Sequence, residues 1–229
     1  MSLTVLDLQR WKDGPPSGSS EDKQSMTKHS APCMTAGLVL AAGSSARFGS
    51  DKRKAEVCDG TTLLSASLRL PSQYLEEVWL VLRPDDDPRD LNLPHAVRVI
   101  QDPATARGMG HSLAVGATQI TRLSAADSLA VFLGDMPGIK SSSLMLLLSN
   151  AASDRITVPT YNGSRGHPVL FGRVFWCHLS ALTGDQGARS VLNRFAESVH
   201  LVETGDPGIL SDVDSIQDLT ALVPRSLAH

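Results

Sequence analysis

From Ala36 onward, short apolar runs alternate with stretches whose apolar residues recur at helical spacing, and this alternation narrows the fold more than any other feature of the chain. The runs are Gly37 to Ala42, Glu77 to Leu82, Val97 to Ile100, Ser128 to Leu133 and Ile156 to Pro159, each with the length and composition of a buried strand. Leu63 to Leu70, Ser112 to Leu123 and Ser142 to Ala151 carry the helical spacing between them. A helix over about Gly187 to Phe195, a strand over Val199 to Glu203 and a last helix over about Ser215 to Val223 continue the pattern. Repeated strand-helix alternation predicts an α/β fold: a Rossmann-like open, mostly parallel sheet with helices on both faces, forming one domain over residues 36–225. Hydrophobic residues make up 41% of the 229, enough to bury a full core without disulfides or a structural metal. Residues 1–35 hold Gly14, Pro15, Pro16 and Ser17 among scattered charges and lack apolar periodicity, so they are expected to form a disordered N-terminal tail.

Composition removes several function classes. With 21 Lys+Arg against 24 Asp+Glu the formal net charge is -3, which gives no broad positive field for a nucleic-acid backbone. Cys33, Cys58 and Cys177 lie far apart with no CxxC, against a disulfide framework, a zinc ribbon or a thioredoxin-type site. No apolar run approaches the roughly 20 residues of a membrane-spanning helix, and the N-terminus has no secretory pattern. A reduced, cytoplasmic protein is expected, with neither nucleic acid nor membrane as partner.

In an open α/β sheet the ligand lies beyond the carboxyl ends of the strands. The stretch there after the first strand reads Leu40-Ala41-Ala42-Gly43-Ser44-Ser45-Ala46-Arg47-Phe48-Gly49-Ser50-Asp51-Lys52. Small residues let backbone N–H groups approach an anion, and Arg47 and Lys52 add the positive charge a triphosphate requires, so the stretch reads as a phosphate cradle. GxxxxGK[ST] and GxGxxG are both absent, which sets aside a Walker A loop and a dinucleotide fingerprint. Val131-Phe132-Leu133-Gly134-Asp135-Met136-Pro137 is a second apolar strand ending in a carboxylate that can hold Mg²⁺, although a turn or helix cap is the alternative. Asp212 and Asp214, two residues apart, offer a further carboxylate or cap the last helix. Gln101-Asp102, Gly108-Met109-Gly110-His111-Ser112-Leu113 and the glycine-rich patches around Arg165-Gly166-His167-Pro168 and Gly184-Asp185-Gln186-Gly187-Ala188-Arg189 also combine small with polar residues. Ser112 reads as a helix start offering N–H groups to a ligand, and His111 as a bystander.

LAAGxSxRxGxxK after the first strand resembles the signature of the molybdenum-cofactor nucleotidyltransferases, within a wider group that includes sugar-phosphate nucleotidylyltransferases. The resemblance spans about residues 36–223 and implies a nucleotide-diphospho-sugar transferase-like fold. It implies that Leu40, Ala41, Ala42, Gly43 and Ser44 wrap a nucleoside triphosphate that Lys52, helped by Arg47, neutralises. GDMP matches the family's GDxP and makes Asp135 a metal ligand; in D-x-D-T-x-E-D-L the second acid matches Asp214, with Asp212 next in line. Ser215 stands for the family's Thr and Gln217 for its acid. The GMGxSL segment, with Gly110 and Ser112, is implied in nucleotide binding, and Asp102 in contact with base or ribose. GxRGHPVLF and GDxGAR look like the cytidylyl branch, placing Arg165, His167, Asp185 and Arg189 against a pterin acceptor. LAAG in place of LAGG, through Ala42, points to CTP over GTP. Arg53-Lys54-Ala55-Glu56 departs from the Leu-Leu-x-Pro that many members carry after the lysine.

The expected reaction is Mg²⁺-dependent transfer of CMP from CTP to the phosphate of molybdopterin or its metal form, with a molybdenum hydroxylase as eventual recipient. Lys52, Arg47 and Asp135 are the expected catalytic residues. Guanylyl transfer, transfer to a sugar phosphate and a non-catalytic cofactor carrier are the alternatives.

Overall fold

The computed structural model describes residues 33–43, 48–58, 60–215 and 217–219. In chain order the elements are β1 (Thr35–Leu40), β2 (Glu56–Cys58), β3 (Thr61–Thr62), α1 (Leu63–Tyr74), β4 (Val78–Leu82), β5 (Val97–Gln101), α2 (Met109–Leu123), β6 (Ser128–Leu133), α3 (Ser141–Ser149), β7 (Ile156–Tyr161), β8 (Ser164–Arg165), β9 (Val169–Gly172), α4 (Trp176–Ser180), α5 (Arg189–Arg194) and β10 (Val199–Glu203). Most of the expected tail lies outside the described residues, but Thr35 opens β1 and the Met34 carbonyl accepts the Asp127 N–H at 2.7 Å. Of the expected last helix, residues 217–219 are helical and residues 220–223 lie outside the described set. No helix among the described residues is long and apolar enough to cross a membrane.

The main sheet runs β10-β7-β9-β6-β1-β4-β5, with β8 on β7. Pairings β1 with β4, β1 with β6, β4 with β5 and β7 with β10 are parallel, as the alternation predicts. β9 runs antiparallel to both β6 and β7. Asn162 and Gly163, with φ of 50° and 77°, turn the chain between β7 and β8 as a two-residue hairpin, and β9 follows in the reversed direction.

Side chains alternate across the sheet to build a core on each face. Leu38, Val81 and Val131 meet Leu113, Ala117 and Ile120 of α2, Trp176 of α4 and Val191 of α5. Val39, Leu80 and Phe132 meet Leu64 and Leu68 of α1 and Leu144 and Leu147 of α3. Strands buried on both faces explain why the runs read as continuously apolar.

Strand order reverses between β1 and β6, because β1 leads outward through β4 to β5 and the chain then returns to pair β6 on β1's other side. At that point the Gly134 N–H donates to the Leu40 carbonyl at 2.9 Å, and the two chains part beyond it. A Cβ on Gly134 would lie 2.9 Å from the Ala41 Cβ, so only glycine allows this approach. The crevice that opens there is where ligands of open α/β sheets bind.

Candidate functional site

Ala41, Ala42 and Gly43 continue from β1 over this crevice, with both alanines buried and Gly43 exposed. Leu40 and Ala41 are held by the sheet, Leu40 through its carbonyl and Ala41 by donating its N–H to Val81 at 2.9 Å. Ser44 and Arg47 lie outside the described residues. The described chain resumes at Phe48 and leads into a short 3-10 turn, Lys52–Lys54, capped by the Asp51 carboxylate on the Arg53 N–H.

The Lys52 ammonium donates to Asp135 Oδ2 at 2.8 Å, to the Val213 carbonyl at 2.9 Å and to Asp214 Oδ1 at 3.1 Å. Burial alone would lower the lysine's pKa; the bonds and charge of Asp135, then of Asp214, outweigh it and leave the pKa raised, so the ammonium stays charged. The Val213 N–H donates to the Asp135 carbonyl at 3.0 Å, strapping the 212–214 segment over the end of β6. Asp135, Asp212 and Asp214 each bring a carboxylate oxygen into a group whose atoms all lie within 4.8 Å of one another. Asp135 Oδ1 is buried and makes no hydrogen bond. Three hard oxygen donors, one of them orphaned, suit a divalent cation such as Mg²⁺ or Mn²⁺. The reading of the acids as helix caps is answered by Ser215 and Asp218: the Ser215 N–H and hydroxyl donate to Asp218 Oδ2 at 2.8 and 2.7 Å, and the Asp218 N–H to the Ser215 hydroxyl at 3.2 Å.

His167 lies two residues before β9, on the side of the acids. Val131 pairs with Val169 in the antiparallel β6–β9 ladder, and extending that register puts His167 across from Leu133, beside the acids. Its N–H donates to the Ile209 carbonyl at 2.9 Å, and Nδ1 is buried without a hydrogen bond. Burial holds the imidazole pKa below its ordinary value, and interactions with the Val131 backbone, Asp135 and Asp212 only partly oppose it, so the ring is neutral near pH 7. Arg165, in β8, is exposed.

A second cluster forms where α2 meets the loop before α5. The Gly110 N–H donates to the Gly184 carbonyl at 2.8 Å, and the Gly184 N–H donates to His111 Nδ1 at 3.1 Å. Asp185 lies against Gly108: a Cβ there would fall 1.9 Å from Asp185 Oδ1, and φ is +126°. His111 thus orders the loop that carries Asp185, while Asp185 and Arg189 are exposed. Ser112 corrects its expectation. The helix begins at Met109, not at Ser112, whose N–H is spent on the Gly108 carbonyl at 3.1 Å and whose hydroxyl donates to the Thr105 and Gly108 carbonyls, both at 3.2 Å. Asp102 uses Oδ1 to cap the turn Pro103–Arg107, accepting the Ala104 N–H at 2.8 Å.

The residue passed over is Arg53. It is 4% exposed, and its guanidinium contacts Asp51, Asp86 and the Ala41 carbonyl. The one signal was its departure from the expected leucine; the partner Asp86 lies 33 residues away.

The MobA-like NTP transferase domain model matches residues 37–200. The chain belongs to this family. It is a nucleotidyltransferase with the nucleotide-diphospho-sugar transferase-like fold. It is 27% identical over 194 residues to purine catabolism protein PucB of Bacillus subtilis, covering 80% of this chain and 92% of PucB. It is 28% identical over 204 residues to nicotine blue oxidoreductase of Paenarthrobacter nicotinovorans, covering 84% and 97%. Among solved structures, Rv0371c of Mycobacterium tuberculosis superimposes with a TM-score of 0.70 at 27% identity, covering 85% of this chain and 99% of that one. Rv0371c is also known in complex with manganese, matching with a TM-score of 0.65 at 26% identity over 83% and 98%.

Proposed function

We propose that this nucleotidyltransferase transfers CMP from CTP to the terminal phosphate of a molybdopterin-type cofactor, with Mg²⁺ as the metal. The observation that carries the reading is the meeting of Lys52 with Asp135 and Asp214 at the point where strand order reverses. A lysine that balances carboxylates in the free protein has a natural second partner in a triphosphate.

An acceptor phosphate oxygen attacks the α-phosphorus in line, a new P–O bond forms, and the bond to the bridging oxygen breaks to release pyrophosphate. The acceptor phosphate is already ionised near pH 7, its second pKa being about 6, so no side chain has to remove a proton. Asp135 and Asp214, with Asp212 beside them, would hold Mg²⁺, which supplies Lewis-acid stabilisation of the phosphoryl oxygens. Lys52, with Arg47, would stabilise charge on the triphosphate. Leu40 to Ser44 would line the nucleotide, with Asp102 and Gly110 ordering the turns at its edge. Ala42, buried at the start of the loop, supports CTP, because its methyl leaves less room than the glycine of LAGG. Arg165, Asp185 and Arg189 would face the pterin, and His167, as a neutral ring, would stand between acceptor and acids. A molybdenum hydroxylase would receive the product.

The test is pyrophosphate release with Mg²⁺ and isolated molybdenum cofactor, run with CTP, GTP, ATP and UTP side by side. Release with CTP alone is expected. Release with GTP instead would overturn the base assignment, and silence with all four would overturn the acceptor.

A further inference from the structure

Arg53 has a saturated guanidinium, and its partners all belong to the segments that build the nucleotide loop. Nε donates to Asp51 Oδ1 at 2.8 Å and Nη2 to Asp51 Oδ2 at 2.6 Å. Nη2 donates also to Asp86 Oδ1 at 2.7 Å, and Nη1 to Asp86 Oδ2 at 2.5 Å. The remaining Nη1 hydrogen goes to the Ala41 carbonyl at 3.0 Å. A guanidinium has five N–H donors in a fixed plane, and every one is used.

The three partners lie on separate pieces of chain: the end of β1, the residue before Lys52, and the connection after β4. Arg83 extends the clasp, with Nη2 on the Gly43 carbonyl, Nη1 3.8 Å from Asp51 Oδ2 and its backbone N–H on Asp86 Oδ2 at 2.9 Å. Two arginines and two aspartates thus form one cluster that holds the carbonyls of Ala41 and Gly43. In a trans peptide the carbonyl and the next N–H point in opposite directions. A carbonyl held on Arg53 therefore turns the Ala42 N–H to the side away from the clasp, the orientation in which loop N–H groups collect anions.

From this geometry we infer that Arg53 is a positioning residue for the triphosphate: it aims the loop backbone and sets the turn from which Lys52 reaches Asp135. The inference rests on the nucleotidyltransferase reading of the same site. Truncation would leave Asp51 and Asp86 facing each other without their shared cation and the Ala41 carbonyl without its donor. Lysine cannot substitute, because its three donors leave from one atom and cannot serve two carboxylates bidentately together with a carbonyl.

The experiment compares wild type, Arg53→Met, Arg53→Lys and, as a surface control, Lys54→Ala. Each is tested for Mg²⁺·CTP and Mg²⁺·GTP binding by calorimetry and for amide hydrogen exchange over residues 40–55, with α2 as internal reference. Arg53→Met is expected to weaken triphosphate binding at least tenfold and to speed exchange over 40–55 but not in α2. Arg53→Lys should recover only a small part of this, and Lys54→Ala should match wild type. Should Arg53→Met fail to fold, Arg83→Gln, which releases the Gly43 carbonyl, is expected to shift both readouts in the same direction by a smaller factor. Wild-type affinity and exchange in Arg53→Met, or in Arg83→Gln where that variant stands in, would overturn this inference alone. A wild type that binds neither triphosphate would overturn the functional reading, and this inference with it.

Discussion

In the free protein the Lys52 ammonium lies among the carboxylates that would bind the metal, 2.8 Å from Asp135 and 3.1 Å from Asp214, so a divalent cation taking those oxygens must displace it. Replacing Lys52 by Met should therefore tighten metal binding in the absence of nucleotide, the reverse of what loss of a catalytic residue ordinarily suggests. A hydrogen bond to a charged group contributes about 1.5–3 kcal/mol net, which applies to the Asp135 contact, where both side chains are at most 20% exposed. Asp214 is 51% exposed, so its share falls in the surface range of about 0–1 kcal/mol. Together they give roughly 2 kcal/mol of competition to be relieved, about 30-fold in dissociation constant. The assay is Mn²⁺ titration followed by electron paramagnetic resonance, without nucleotide, on wild type, Lys52→Met and the double variant Lys52→Met/Asp135→Asn. The single variant should bind about 30-fold tighter, the double variant should lose that gain, and triphosphate affinity should fall in both. Equal or weaker Mn²⁺ binding by Lys52→Met would refute the competition between lysine and metal.

Asp135→Asn, which keeps size and removes the charge, should lower turnover by about 100- to 1,000-fold while the fold persists; full activity in a pyrophosphate assay would remove Asp135 from the machinery. Gly110→Ala would bring a Cβ within 2.7 Å of the Thr183 and Gly184 carbonyl oxygens, at a cost of about 1–3 kcal/mol, so the melting temperature should drop by several degrees, and an unchanged melt would count against the docking of this loop on α2. At acid pH the Arg53 clasp has a signature of its own. The bond to Arg53 holds the Asp51 pKa low, and for Asp86, where burial pushes upward, the bonds to Arg53 outweigh it. Both carboxyls are thus depressed in the folded state, and the unfolded chain takes up protons first. The stability they contribute is complete above about pH 4 and declines as pH falls through the depressed values. Urea melts of wild type and Arg53→Met between pH 5 and pH 2 should converge, whereas a gap independent of pH would show that these carboxylates are not held by Arg53.

The parallel half of the sheet was legible because burial on both faces forces continuous apolar runs, and β1, β4, β5 and β6 fall within a residue or two of where those runs lie. β9 was not legible as a strand: Val169 to Gly172 is four residues long, and its apolar run does not encode direction. A local signal does exist in Asn162-Gly163, the residue pair that favours a tight hairpin. That reversal brings His167 beside Asp135, because an antiparallel β9 begins at the edge where β6 ends. Ser112 was misread because helix spacing alone could not show that α2 begins one turn earlier, at Met109.

By itself the sequence determined the alternation of strands and helices, the glycine-rich loop after the first strand, and the identity of the lysine and the acids, since each rests on local periodicity, local backbone freedom or side-chain chemistry. Tertiary structure alone decided which of these meet. Lys52 reaches Asp135 across 83 residues and Asp214 across 162, and Arg53 finds Asp86 across 33. Those encounters follow from strand order, which is selected by packing helices on both faces of one sheet and is not written in any short window of sequence.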